Sequence, residues 1–143
     1  MRLCLDIGGV ISKYPDQFKK LLLLFPSNDI FVITDMHKKE EVLQMLENNG
    51  FGFIPENNIY CADYKSKGEF CKALLLKELK IDIFIDDFGG YLQWDSILGD
   101  APIRLLVVPD GFKPYWAPEW KVDVQQDFGR RLTSVEVLNN AVK

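Results

Sequence analysis

Apolar runs recur along the chain, and several of them close on a polar residue. Leu3-Cys4-Leu5 runs into Asp6 and then into Gly8-Gly9. Ile30-Phe31-Val32-Ile33 runs into Thr34-Asp35, and Ile81 to Ile85 runs into Asp86-Asp87. Ile59-Tyr60-Cys61 and Ile103 to Val108 are further short runs. Short, β-branched and aromatic runs of this kind predict strands buried on both faces. The segments between them carry the helical period instead. Asp16 to Phe25 places Phe18, Leu21, Leu22 and Phe25 at core spacing, after Pro15 at a helix start. His37 to Asn49 points Val42, Leu43, Met45 and Leu46 inward and stops at Asn49-Gly50. Lys67 to Lys80 reads as one helix with Phe70, Ala73, Leu74, Leu76 and Leu79 on or near a stripe. A short helix is expected around Tyr91 to Leu98.

Strands alternating with helices predict a three-layer α/β, Rossmann-like fold, with a mostly parallel central sheet of about five strands and no cap domain. Beyond it, Pro109 to Trp120 reads as a proline- and aromatic-rich loop, and Val122 to Val124 as a minor strand. Thr133-Ser134-Val135-Glu136 has capping-box spacing and opens a last short helix to Val142. With 143 residues and no repeat or linker, the chain is expected to be a single domain, 1–143.

Composition narrows the function classes. A hydrophobic fraction of 48% with 27% charged residues is that of a water-soluble globular protein, and no apolar run approaches a membrane span. A strand so close to Met1 leaves no room for a signal peptide, so a cytoplasmic location is expected. The net charge of −4 argues against broad electrostatic binding of nucleic acid. Cys4, Cys61 and Cys71 form no C-x-x-C pair and read as reduced, mostly buried thiols. His37 is the one histidine, so a histidine-rich metal site is excluded, and it reads as a polar residue at a helix start.

The chemistry gathers where strands end. Parallel strands deliver their carboxyl ends to one edge, where open α/β sheets bind ligands. Asp6, Thr34, Asp86 and Asp87 are therefore expected on that edge, with the glycines after Asp6 bringing backbone N–H groups close to a ligand. Neighbouring carboxylates repel unless a cation or proton joins them, and oxygen-only ligands suit Mg²⁺. A metal beside a carboxylate nucleophile makes a workable site for phosphoryl transfer. Lys67, at the expected start of a helix, opposes the helix dipole there; a lysine reaching toward a phosphate would explain its place.

Asp6-Ile7-Gly8-Gly9-Val10-Ile11, Thr34, Lys67 and Asp86-Asp87 resemble, in order, the four motifs of the haloacid dehalogenase-like hydrolase superfamily. The resemblance implies Asp6 as the nucleophile that forms an aspartyl-phosphate and also binds Mg²⁺. It implies the Gly8 carbonyl, Asp86 and Asp87 as further metal ligands, with Asp87 the closer one. Thr34 and Lys67 would engage the phosphoryl group, Gly9 and Asp35 would border the substrate, and Lys67 would also neutralise Asp6. The response-regulator receiver also places Asp, Thr and Lys at strand ends, but in an order that does not fit.

In one respect the sequence departs from that pattern. Phosphatase members usually carry a second aspartate two residues after the nucleophile, as general acid and base; here Gly8 stands there. The intervals from Asp6 to Thr34 and from Thr34 to Lys67 each hold about one helix with its connections, so the resemblance is to the capless branch. Such open sites serve macromolecular phosphorylated substrates or are closed by a neighbouring subunit of a homo-oligomer. Tyr14, His37 and the Tyr115/Trp116/Trp120 loop would rim the site or pack over the sheet's edge. Two functions are thus expected to compete: a Mg²⁺-dependent phosphohydrolase acting through Asp6, and a catalytically silent domain that keeps the site to bind a partner or a phosphorylated ligand.

Overall fold

The computed structural model describes residues 1–88 and 94–108. Five strands form one sheet: β1 (Leu3–Leu5), β2 (Ile30–Thr34), β3 (Ile59–Cys61), β4 (Ile83–Asp86) and β5 (Ile103–Leu106). They are all parallel, in the order β3-β2-β1-β4-β5. The helices are α1 (Pro15–Leu22), α2 (Lys39–Asn48), α3 (Tyr64–Lys67), α4 (Cys71–Glu78) and α5 (Asp95–Leu98).

Side-chain alternation along the strands creates two cores. Leu3 and Leu5 of β1, Ile30 and Val32 of β2 and Ile85 of β4 pack with Phe18 and Leu22 of α1 and Val42 and Leu46 of α2. Cys4, Phe31, Ile33 and Phe84 point the other way and meet Ala73 and Leu76 of α4, Trp94, and Leu98 of α5. Helices on both faces make this a three-layer α/β, Rossmann-like architecture. Each fully buried leucine or isoleucine stabilises the fold by about 1.5–3 kcal/mol, and the near-continuous apolar runs of β1 and β2 reflect burial on both sides. Among the described residues no helix is long and apolar enough to cross a membrane, and none of the intervals between strands holds an inserted domain.

The sheet order places the chemistry. The chain winds outward from β1 through α1, β2 and α2 to β3, then crosses by α4 to β4 on the other side of β1. The crevice between the carboxyl ends of β1 and β4 is the topological switch point. Asp6 follows β1 there, and Asp86 ends β4.

Three expectations are corrected. The helix expected over Lys67 to Lys80 is two helices. Asp63 caps α3 by accepting the Ser66 N–H at 3.0 Å, and Gly68 ends it with φ 79° and ψ −176°, which only glycine adopts without strain. The stripe shifts accordingly: Phe70 and Leu74 are exposed, while Cys71, Lys72, Ala73 and Leu76 face inward. The fifth strand is not buried. Among the described residues β5 is the last strand on its side of the sheet, and its Ile103 and Leu105 are exposed. The expected loop at Pro109 to Trp120, the minor strand at Val122 to Val124, the helix opened by Thr133 and the residues Tyr115, Trp116 and Trp120 lie outside the described residues.

Candidate functional site

The loop after β1 is built by its two glycines. Gly8 (φ −63°, ψ 128°) and Gly9 (φ 70°, ψ −3°) take the two central conformations of a type II turn, in which the second position requires positive φ. A Cβ on Gly9 would collide with the Asp87 carboxylate, so glycine there lets the β1 and β4 loops approach each other. A Cβ on Gly8 would meet nothing within 4 Å. Ser12 closes the loop, donating its N–H to the Ile7 carbonyl at 3.0 Å.

Asp6 is fixed by its own N–H, which donates to the Ile85 carbonyl at 3.0 Å. It lies on the same face of the sheet as Cys4, the face that α4 covers. Asp86 shares that face with Phe84 by the same alternation. From α4, Lys72 reaches both: Nζ lies 2.8 Å from Asp86 Oδ2 and 3.3 Å from Asp6 Oδ1. Lys72 is 1% exposed and Asp86 is 3% exposed. The second oxygen of Asp86, Oδ1, accepts the Phe88 N–H at 3.1 Å, so both its oxygens are committed. Asp6 Oδ1 is buried and, among the described residues, has no hydrogen-bond partner, with Lys72 Nζ 3.3 Å away as its ion-pair neighbour.

Asp87 is half-buried beside Gly9. Asp6, Asp86 and Asp87 each offer an oxygen within 4.8 Å of the others. Among the described residues one lysine stands against three carboxylates, an excess of negative charge in a partly dry site that favours a proton or a cation. The ionisation behaviour follows. Burial pushes Asp86 up to about 8, with the charges of Asp6 and Asp87 adding to it and Lys72 opposing. Burial likewise raises Asp6, with Asp35 adding, against the pull of Lys72 and the Ile7 N–H. The Cys4 thiol beneath the cluster is raised chiefly by burial and is inert as a nucleophile.

The other expected site residues fall as follows. Thr34 ends β2 two residues past Val32, which is level with Leu5, and so stands at the same edge. It is fully buried, and its hydroxyl oxygen accepts the Met36 N–H at 3.3 Å, leaving the hydroxyl proton to donate elsewhere. Asp35 and His37 are exposed at the same edge. Gly9 donates its N–H to Ser12 Oγ at 3.1 Å, so in this conformation that donor is turned into the loop and away from a ligand.

Lys67 is not brought to the carboxylates. It is exposed at the end of α3, where its charge is felt by Asp63. Lys72 occupies the position expected of Lys67, because the break at Gly68 starts α4 only at Cys71. A signal for this was present in the sequence. Lys72 stands in an i, i+4, i+7 row with Leu76 and Leu79, a lone cation on a buried helical row. Such a lysine needs a paired carboxylate.

No family description, no curated protein and no solved structure matches this chain.

Breaking a buried ion pair on one side strands the other charges, at a cost of about 3–5 kcal/mol. Lys72→Met is therefore expected to destabilise the protein by about 3 kcal/mol near neutral pH, and by less in acid, where the carboxylates protonate. Lys67→Met is expected to leave the unfolding midpoint where it was. Chemical denaturation of both variants at two pH values checks this.

Because the folded carboxyls of Asp86 and Asp6 lie above their unfolded value, the folded state holds protons that the unfolded chain releases. The metal-free protein is thus expected to lose stability as pH rises from about 5 to about 8. Thermal melts in chelator across that range test the sign; a midpoint that rises with pH contradicts it.

Proposed function

We propose that the chain is a capless, haloacid dehalogenase-like phosphohydrolase that uses Mg²⁺ and a nucleophilic Asp6. The observation that supports this reading above all is the convergence of Asp6, Asp86 and Asp87 around buried Lys72 at the switch point of a parallel sheet. The donor set fits a hard divalent cation. It consists of carboxylate oxygens alone, carries more negative charge than one lysine balances, and includes a buried oxygen without a hydrogen bond. Asp6 and Asp87 would hold the ion directly, with the Gly8 carbonyl; Asp86, both of whose oxygens are already bonded, would act from behind. When bound, Mg²⁺ would neutralise charge on the phosphoryl oxygens.

The chain's own groups account for the remaining chemistry. Asp6 would attack phosphorus through the carboxylate oxygen directed away from Lys72. Lys72 favours the ionised form of Asp6 against the effect of burial, would aim it, and would supply positive charge beneath the transferred group. Thr34 has a hydroxyl proton available to donate to a phosphoryl oxygen. The P–O bond to the leaving group would break as the acyl phosphate on Asp6 forms, and water would then attack that phosphorus, breaking its bond to Asp6 and releasing phosphate and the free carboxylate.

The leaving oxygen has no acid at Gly8 to protonate it. Proton transfer of that kind is worth about 10²–10⁴-fold, so activated esters are the better substrates. The competing reading, a silent domain that binds a phosphorylated ligand, is favoured by that same absence. Four separate polar groups held on one edge favour the enzyme.

Turnover of p-nitrophenyl phosphate that depends on Mg²⁺ and is abolished in Asp6→Asn is the expected result. Folded protein with no turnover above that variant would leave the binding domain as the surviving reading. Gly8 has room for a side chain and an ordinary negative φ. Gly8→Asp is therefore expected to fold and to raise hydrolysis of alkyl phosphates by about 10²-fold or more, with a smaller gain on p-nitrophenyl phosphate. The ratio of kcat/KM on the two esters reads this out; an unchanged ratio contradicts the assignment of that position.

A further inference from the structure

A second concave feature shares no residue with the carboxylate cluster. It is a groove of about 530 Å³ between α2 and the segment that leads into β3. Leu43, Phe53 and Pro55 line it and are at least partly exposed above a fully buried Phe51, and its rim carries Glu40, Glu47 and Glu56. All three glutamates are exposed, and none has an ion-pair partner among the described residues. Phe53 is 40% exposed although its ring meets that of Phe51 at 6.1 Å. No basic residue lines the groove.

From this we infer that the groove docks a segment of a partner protein in which lysine or arginine alternates with apolar side chains. The volume is of the order that takes a few residues of extended peptide. Leu43, Phe53 and Pro55 take the partner's leucines or aromatics, and the carboxylate rim takes its cations, giving orientation and partner choice more than raw affinity. The Glu47 carboxylate lies over Gly52, where a Cβ would otherwise stand. A side chain at position 52 would displace that carboxylate. The inference is independent of any phosphatase activity, since the groove and the carboxylate cluster are separate.

The probe is a fluorescein-labelled peptide in which arginine and lysine alternate with leucine, titrated with the full chain and read by anisotropy. Saturable binding is expected. Glu40→Gln/Glu47→Gln/Glu56→Gln together, all at exposed positions, should weaken it about tenfold, and added salt should weaken it further. A peptide with glutamine in place of the basic residues should bind no better than that triple variant. Amide chemical shifts should move at Gly52 and Phe53 and stay still at Gly8 and Gly9. Absent saturation, equal binding by the triple variant, or shifts confined to Gly8 and Gly9 would overturn the inference. So would self-association that buries Phe53 without peptide, which would assign the groove to a second copy of this chain.

Discussion

The contact between Lys72 and the carboxylates of Asp6 and Asp86 is the constraint around which the site is arranged. A lysine almost wholly removed from water is costly unless its charge is met, and here two strand ends meet it. The arrangement fixes three elements against one another, because Asp6 follows β1, Asp86 ends β4 and Lys72 belongs to α4. It also leaves an imbalance. Asp87 and Asp35 add negative charge nearby, and among the described residues no second cation forms an ion pair with the acidic group. A fold that needed only stability would gain as much from apolar residues at these positions. The excess charge on the ligand-binding edge is what calls for a functional reading.

Topology explains how such distant residues meet. In a parallel sheet, sequence separation does not matter at the edge; strand order does. Placing β1 between β2 and β4 brings Asp6 beside the acidic pair while leaving Thr34 on the other flank. The two glycines after Asp6 then let the first loop close over Asp87 without a Cβ in the way. The acidic centre and the glutamate-rimmed groove occupy separate places. The first belongs to the switch point, and the second to the face of the sheet covered by α2.

Much of this was legible in the sequence because strands buried on both faces announce themselves as apolar runs. Leu3 to Leu5, Ile30 to Ile33 and Ile59 to Cys61 are strands as read, and the carboxylates after the first and fourth strands converge as the parallel order requires. What was not legible depended on local backbone conformation. Gly68 was read through as part of a helix, whereas its positive φ ends α3 and resets the face that α4 presents. Lys67 was expected at a helix start, and with the break at Gly68 it is Lys72, in the first turn of α4, that stands beside the carboxylates. The place of β5 at the end of the described sheet could not be read either, since Ile103 to Val108 looks like an interior strand and only the strand order shows that, among the described residues, one side has no neighbouring strand. The commitment of the Gly9 N–H to Ser12 is a side-chain contact within a loop, and periodicity does not carry it.

The central claim is that Asp6 is a nucleophile held ready by Lys72. The most direct measurement is a structure of the protein grown with Mg²⁺ and beryllium fluoride, a mimic of the phosphoryl group. The account predicts a fluoroberyllate joined to the Asp6 oxygen directed away from Lys72, with an octahedral ion against Asp6 and Asp87. An unmodified Asp6 still facing Lys72, with no ion among the three carboxylates, would contradict it.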